Sequence, residues 1–452
     1  MINFDKQKPF KKIVKKFNKK RIMKFNAIEK KTLVLLLISS FFDGFVISAF
    51  KMQDIIAKKA LNVLDWQLTI LVMLWPISNL FSIWWGKALE KAHSFKKYFI
   101  LTALAGRLSL LLMLWIEGFS GYFLILLLLF SFNALIIPAR NAIYQSNINV
   151  DKRGKIFGYQ ISLTTLTMII SSYFAGRFLD ANENLFRYFF VIVGIMGCFS
   201  SLILAFISLD REKAQVKEKI NLRQIFIKPI QRTWEVLKKD RDYAIFQRNF
   251  FIYGIAFLIL LPIIPKYLVE YLQFNYSQTF FCKVILAELA ILILAPLTGT
   301  IHDKKNPAYF SSIAFFILSL YPIILLISSY LSGNVYVNYI IYLAFIIFGI
   351  GMSSVVISWN ISSIYFAGEE DASMYQSVHV TLTGIRGLII PPLGYLILKL
   401  FGINTVFIIS AVVFIIAGIL NFKLYLQISE QKDYFSKKIK KMQFVLRKGF
   451  PL

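Results

Sequence analysis

The sequence predicts an all-α membrane protein of twelve transmembrane helices in two pseudo-symmetric six-helix bundles, and three observations carry that prediction. Of 452 residues, 57% are hydrophobic and only 17% charged, a balance far from that of a soluble globular chain. Apolar runs recur along the whole sequence, each near the ~20 residues that a helix rising ~1.5 Å per residue needs to cross ~30 Å of hydrocarbon. Basic residues gather in the tails and in every second break between the runs.

Reading the apolar runs in order places the first six spans at about 32–50, 67–86, 98–116, 122–144, 154–179 and 186–209. The second six fall at about 243–267, 277–301, 309–330, 336–366, 373–398 and 405–425. Backbone groups in lipid must bond within their own segment, so each span is expected to be helical. The chain then divides into a basic tail (1–31), a first bundle (32–209), a linker (210–242), a second bundle (243–425) and a second basic tail (426–452). No cleavable signal is expected, because 1–31 is lysine-rich and the first apolar run lacks a small-residue cleavage site.

A net charge of +27 raises the question of nucleic acid, and the placement of the charges answers it. Lys11, Lys12, Lys96, Lys97, Lys152, Arg153, Lys238, Lys239, Lys304, Lys305, Lys437 and Lys438 all fall on one side of a twelve-span topology. The positive-inside rule puts that side, with both termini, in the cytoplasm of a bacterial cell membrane. Phe10, Ile13, Val14 and Phe17 in one tail, and Phe435, Ile439, Met442 and Leu446 in the other, are spaced for one helical face. The tails are either interfacial helices on anionic lipid or solvated lysine-rich segments. The linker carries a similar stripe of Ile225, Phe226, Ile230, Trp234 and Leu237.

Cys198 and Cys282 lie inside apolar runs, as packing residues, and His93, His302 and His379 are too scattered for a metal site. No phosphate-binding glycine loop and no catalytic constellation is recognisable, so neither a cofactor nor an enzymatic activity is expected.

The two halves echo one another. Gly86 and Glu90 correspond to Gly299 and Asp303, both 213 positions apart (299 minus 86, 303 minus 90), and Gly176 corresponds to Gly394. With Lys91 and Lys304 completing the two loops, the arrangement resembles the major facilitator superfamily, built from parallel halves related about the membrane normal. The resemblance runs from about Thr32 to Tyr425, and Arg153, Gly154, Gly384, Arg386, Gly387 and Pro391 add to it. The first loop has glutamate and lysine where the family usually has aspartate and arginine, and it lacks the family's second glycine. The resemblance implies a solute site between the halves, and a gating rather than solute-binding role for Gly86, Glu90, Lys91, Gly299, Asp303 and Lys304. The family's drug-antiporter motif needs a glycine-proline pair in the fifth helix, and Ser171 to Gly176 contains no proline.

Ionisable side chains deep in lipid are costly unless paired or hydrated, so each is a functional candidate. Asp43 sits about 18 Å from the inner surface by helical rise, and Arg140 lies at similar depth. In the resembling family the first and fourth helices border the cavity, which makes Asp43 and Arg140 either a proton-switched pair or a permanent one. Glu288 and Arg386 are the corresponding candidates in the second half, whereas Arg107 is expected to be structural. Asn133, Asn141, Tyr144 and Gln145, together with Tyr253, Ser354, Ser358, Trp359 and Asn360, either line a cavity or join helices. Pro76, Pro138, Pro262, Pro265, Pro391 and Pro392 permit bending of the spans.

The function expected is secondary active transport of a small-molecule solute, with protons and membrane lipids as further partners. The alternatives are an exporter of amphiphilic compounds and a non-transporting scaffold or receptor with a transporter fold.

Overall fold

The computed structural model describes residues 25–90, 92, 94–209, 231, 233–331, 333, 336–367 and 372–448. Among them there is no strand, and the chain runs through twelve long helical segments. The first half contributes α1 (Ala27–Ala60), α2 (Asp65–Glu90), α3 (Lys96–Trp115), α4 (Phe119–Asn147), α5 (Val150–Ala181) and α6 (Glu183–Ala205). The second contributes α7 (Arg241–Tyr271), α8 (Tyr276–His302), α9 (Pro307–Tyr330), α10 (Val337–Ala367), α11 (Ala372–Phe401) and α12 (Ile403–Lys448). Ten of these are long and apolar enough to cross a membrane. The exceptions are α2 and α5, whose 26 and 32 residues still exceed the ~20 that a crossing needs.

Helix ends follow local chemistry. Asn26 caps α1 by accepting from the Glu29 backbone N–H at 2.7 Å, while the Glu29 carboxylate accepts from the Asn26 N–H at 3.0 Å, a reciprocal capping box. The helix then runs past the expected end at Phe50 to Ala60, and stops at Asn62, whose φ of 48° is left-handed. This extension matters, because it turns Lys51, Asp54 and Lys58 from loop residues into residues of one helix.

Two of the breaks in the helices coincide with prolines. The α4 segment is interrupted between Asn133 and Ile136, where Pro138 has no N–H to offer the Ala134 carbonyl. The α7 segment breaks after Leu258 and resumes at Ile263, around Pro262 and Pro265, before a π turn at Tyr267–Tyr271. Within α3 a π turn, Thr102–Arg107, gives way to 3-10 geometry, and it ends on the fully buried Arg107.

The core comprises one large cluster drawn from the second half and two smaller ones centred on the first. Tyr276, Phe280 and Val284 of α8 belong to a first-half cluster, so the start of α8 is seated on the opposite bundle. A second cross-half seam joins α2 to α11. A Cβ at Gly384 would strike Leu80, and one at Gly387 would strike Pro76, so these two glycines allow the helices to approach.

Residues 1–24 of the first tail and linker residues 210–230 lie outside the described residues, and with them Phe10, Ile13, Val14, Phe17, Ile225, Phe226 and Ile230. Trp234 is exposed and Leu237 packs against the second-half core. The α12 backbone continues as helix to Lys448; the side chains of Phe435, Ile439, Met442 and Leu446 lie outside the described residues.

Candidate solute site

Two arginines of the first half converge on Asp43. Arg140 donates from Nη2 to Asp43 Oδ2 at 2.9 Å, and Arg107 Nη2 lies 3.6 Å from Asp43 Oδ1. Asn133 Oδ1 accepts from the same Arg107 nitrogen at 2.7 Å, so Asn133 supports the triad. Two guanidinium groups therefore share one carboxylate, and the Arg107 Nε and Nη1 and the Arg140 Nε are buried without hydrogen-bond partners.

Glu288 and Arg386 do not meet. Glu288 pairs with Lys51 of α1 at 2.6 Å, a bond between the halves. Arg386 donates to the Phe250 carbonyl oxygen and the Thr383 hydroxyl, and its guanidinium lies about 6 Å from the rings of Phe250 and Tyr253.

The polar residues of α4 and α10 separate by environment. Asn141 and Gln145 are exposed, whereas Tyr144 is buried beside Phe157. Tyr253 stacks on Phe315 within the second-half core. Ser354 is buried, and Ser358 meets Ser311 at 2.9 Å. Trp359 sits edge-on to His379, and Asn360 bonds its own helix at the Val356 carbonyl oxygen. Among the loop-motif residues, Gly299 has only Ile357 near a notional Cβ; the side chains of Glu90, Lys91, Asp303 and Lys304 lie outside the described residues.

A cavity of about 200 Å³ lies where the halves meet. Its polar wall is Lys51, Gln53 and Asp54 of α1 with Lys283 of α8, and its apolar wall includes Trp75, Phe257, Tyr321, Phe345 and Phe348. Lys283 pairs with Asp54, so α1 and α8 are tied twice, at Asp54–Lys283 and Lys51–Glu288. None of the polar residues singled out on α4 and α10 lines this cavity. Lys51, Asp54 and Lys283 were not singled out in the sequence. Their signal was the spacing of Lys51, Asp54 and Lys58 at i, i+3 and i+7, which puts them on one helical face.

Beyond the cavity, at the face opposite Glu29, the halves are latched. Lys266 of α7 bridges Asp65 and Glu270, each at 2.7 Å, while Lys58 meets Asp65 at 3.1 Å and also Glu270. Asp180, near the end of α5, accepts from the Tyr276 and Ser277 N–H groups at 2.7 and 3.1 Å, a carboxylate from one half on the helix start of the other. Lys59 donates to the Phe274 carbonyl oxygen at 2.9 Å. This latch borders a recess of about 580 Å³. Burial pushes the pKa of Asp65 up, but the hydrogen bonds from Lys266 and Lys58 outweigh it and hold the carboxyl below its ordinary value.

Two helical bundles, latched at one face and enclosing a charged cavity, have the architecture of a membrane transporter. The chain belongs to the Major Facilitator Superfamily, whose family model matches residues 32–389. Solved structures share the fold at low identity. A POT family transporter in complex with 5-aminolevulinic acid superposes with a TM-score of 0.70 at 14% identity, covering 88% of this chain and 96% of that one. The nucleoside transporter NupG gives 0.66 at 14% identity over 87% of this chain and 100% of its own. A bacterial homolog of the human lysosomal transporter Spinster, inward-facing and unoccupied, gives 0.59 at 13% identity, covering 88% and 98%. No curated protein matches the sequence.

Proposed function

We propose that this membrane transporter is a secondary active carrier that moves a small solute by alternating access, with bundles 32–209 and 243–425 rocking about the cavity. The observation that carries the reading is the cavity itself, whose charged wall is shared by α1 and α8. Rocking must break and remake those bonds, so the site and the gate are mechanically one.

The twelve helical segments are twelve spans in this reading, and the lysine-rich tails set both termini in the cytoplasm. The latched face is then the outer one, and the molecule is closed to the outside. Gly86, Glu90, Lys91, Gly299, Asp303 and Lys304 act at the inner gate, and the tails rest on anionic lipid.

Asp43 is the proposed proton acceptor, since its protonation would free Arg140 to move. The second arginine on the same carboxylate favours a structural share in the triad as well. Counterflow and gradient-driven uptake in proteoliposomes separate the two roles. Asp43→Asn should keep counterflow and lose uptake driven by a pH gradient; undiminished driven uptake removes the proton role. The aromatic wall of the cavity favours one alternative, export of amphiphilic compounds, which would appear as dye efflux from the same vesicles.

A further inference from the structure

We propose that the cavity recognises a small zwitterion, one carboxylate and one ammonium group on an apolar body the size of a free amino acid. The inference deepens the transporter reading and rests on it for its setting.

Its content comes from four charges. Lys51 and Asp54 line the cavity from one face of α1, and Lys283 lines it from α8; Glu288 completes the set through its 2.6 Å bond to Lys51. Two cations and two carboxylates sum to zero. A zwitterion can insert between Asp54 and Lys283, placing its ammonium on the first and its carboxylate on the second, and the site stays neutral. A solute with one charge would leave a buried group without a counter-charge, which is strongly unfavourable.

Two further observations fit the same ligand. Gln53 lines the cavity, is 3% exposed, and its Oε1 has no hydrogen-bond partner, leaving an acceptor for another ammonium hydrogen. The facing aromatic wall suits an apolar side group. A volume of about 200 Å³ falls below the roughly 300–1,000 Å³ of pockets for drug-sized ligands, which restricts the solute to amino-acid size. Because the Asp54–Lys283 pair joins α1 to α8, the inserted charges exchange a bond between halves for bonds to the solute, so occupancy loosens the seam.

The test is a calorimetric titration of the full chain in nanodiscs. The probes are L-leucine and L-phenylalanine, the ammonium-only isoamylamine and phenethylamine, and the carboxylate-only isocaproate and hydrocinnamate. At least one amino acid should bind ten times more tightly than both of its half-charged analogues. The paired variant Asp54→Asn with Lys283→Gln, which preserves shape and neutrality, should lose that preference. Equal binding of a half-charged analogue, or no binding of either amino acid, overturns the assignment, and the panel on the unmodified protein decides this even if the variant melts early. Counterflow keeps the two readings apart. Amino-acid binding without counterflow sinks the transporter and keeps the site, whereas counterflow of adenosine or glucose without amino-acid binding sinks the site and keeps the transporter.

Discussion

Lys51 on α1 and Glu288 on α8 form an ion pair of 2.6 Å between the two halves of the molecule. One turn further along α1, Asp54 reaches Lys283 of the same partner helix, and a turn beyond that Lys58 joins the latch. One helical face thus carries the cavity wall and the latch in a single row. Loosening any rung should be felt at the next.

Asp43 should contribute more to stability than Arg140, its partner in the triad. Asparagine there leaves two guanidinium groups together without an anion, a loss of the kind that costs about 3–5 kcal/mol for a broken buried pair. Thermal melting in detergent should show it. Arg140→Gln should be milder, because Arg107 still faces the carboxylate.

Asp65 lends the latch a defined acid dependence. Its pKa is depressed in the folded chain, so its contribution is fully present above the unfolded value near 3.9 and is lost as pH falls through the lower folded value. Spin-label distances across the latched face should therefore stay constant between about pH 8 and 5. Asp65→Asn should lengthen them at every pH in that window.

Asp180→Ala removes the acceptor from two backbone N–H groups at the start of α8. Loss of a cap costs about 1 kcal/mol, close to the ~1.4 kcal/mol of a tenfold change in equilibrium. Reactivity of a cysteine introduced at Asn62 toward an impermeant reagent should rise five- to tenfold if the latched face opens more often.

Gly387→Leu should halt transport with little change in helix content. The new side chain would collide with Pro76 and force α11 away from α2, so flux measured against circular dichroism separates a jammed seam from an unfolded chain.

Hydropathy and charge were enough to read the helical membrane architecture, the order of the segments and the paired halves, because burial in lipid imposes those features on local composition. The Asp43–Arg140 contact was legible for the same reason: two charges at matching depth have few partners. The cavity between the halves was not. Ending the first span at Phe50 left Lys51, Asp54 and Lys58 as loop, since hydropathy falls wherever charges begin, whether or not the helix continues. Lys283 lies inside an apolar run, yet its partner is 229 residues away. Only the packing of α8 against α1 decided which charges face each other, for a sequence records depth along a helix and not the neighbour across a seam.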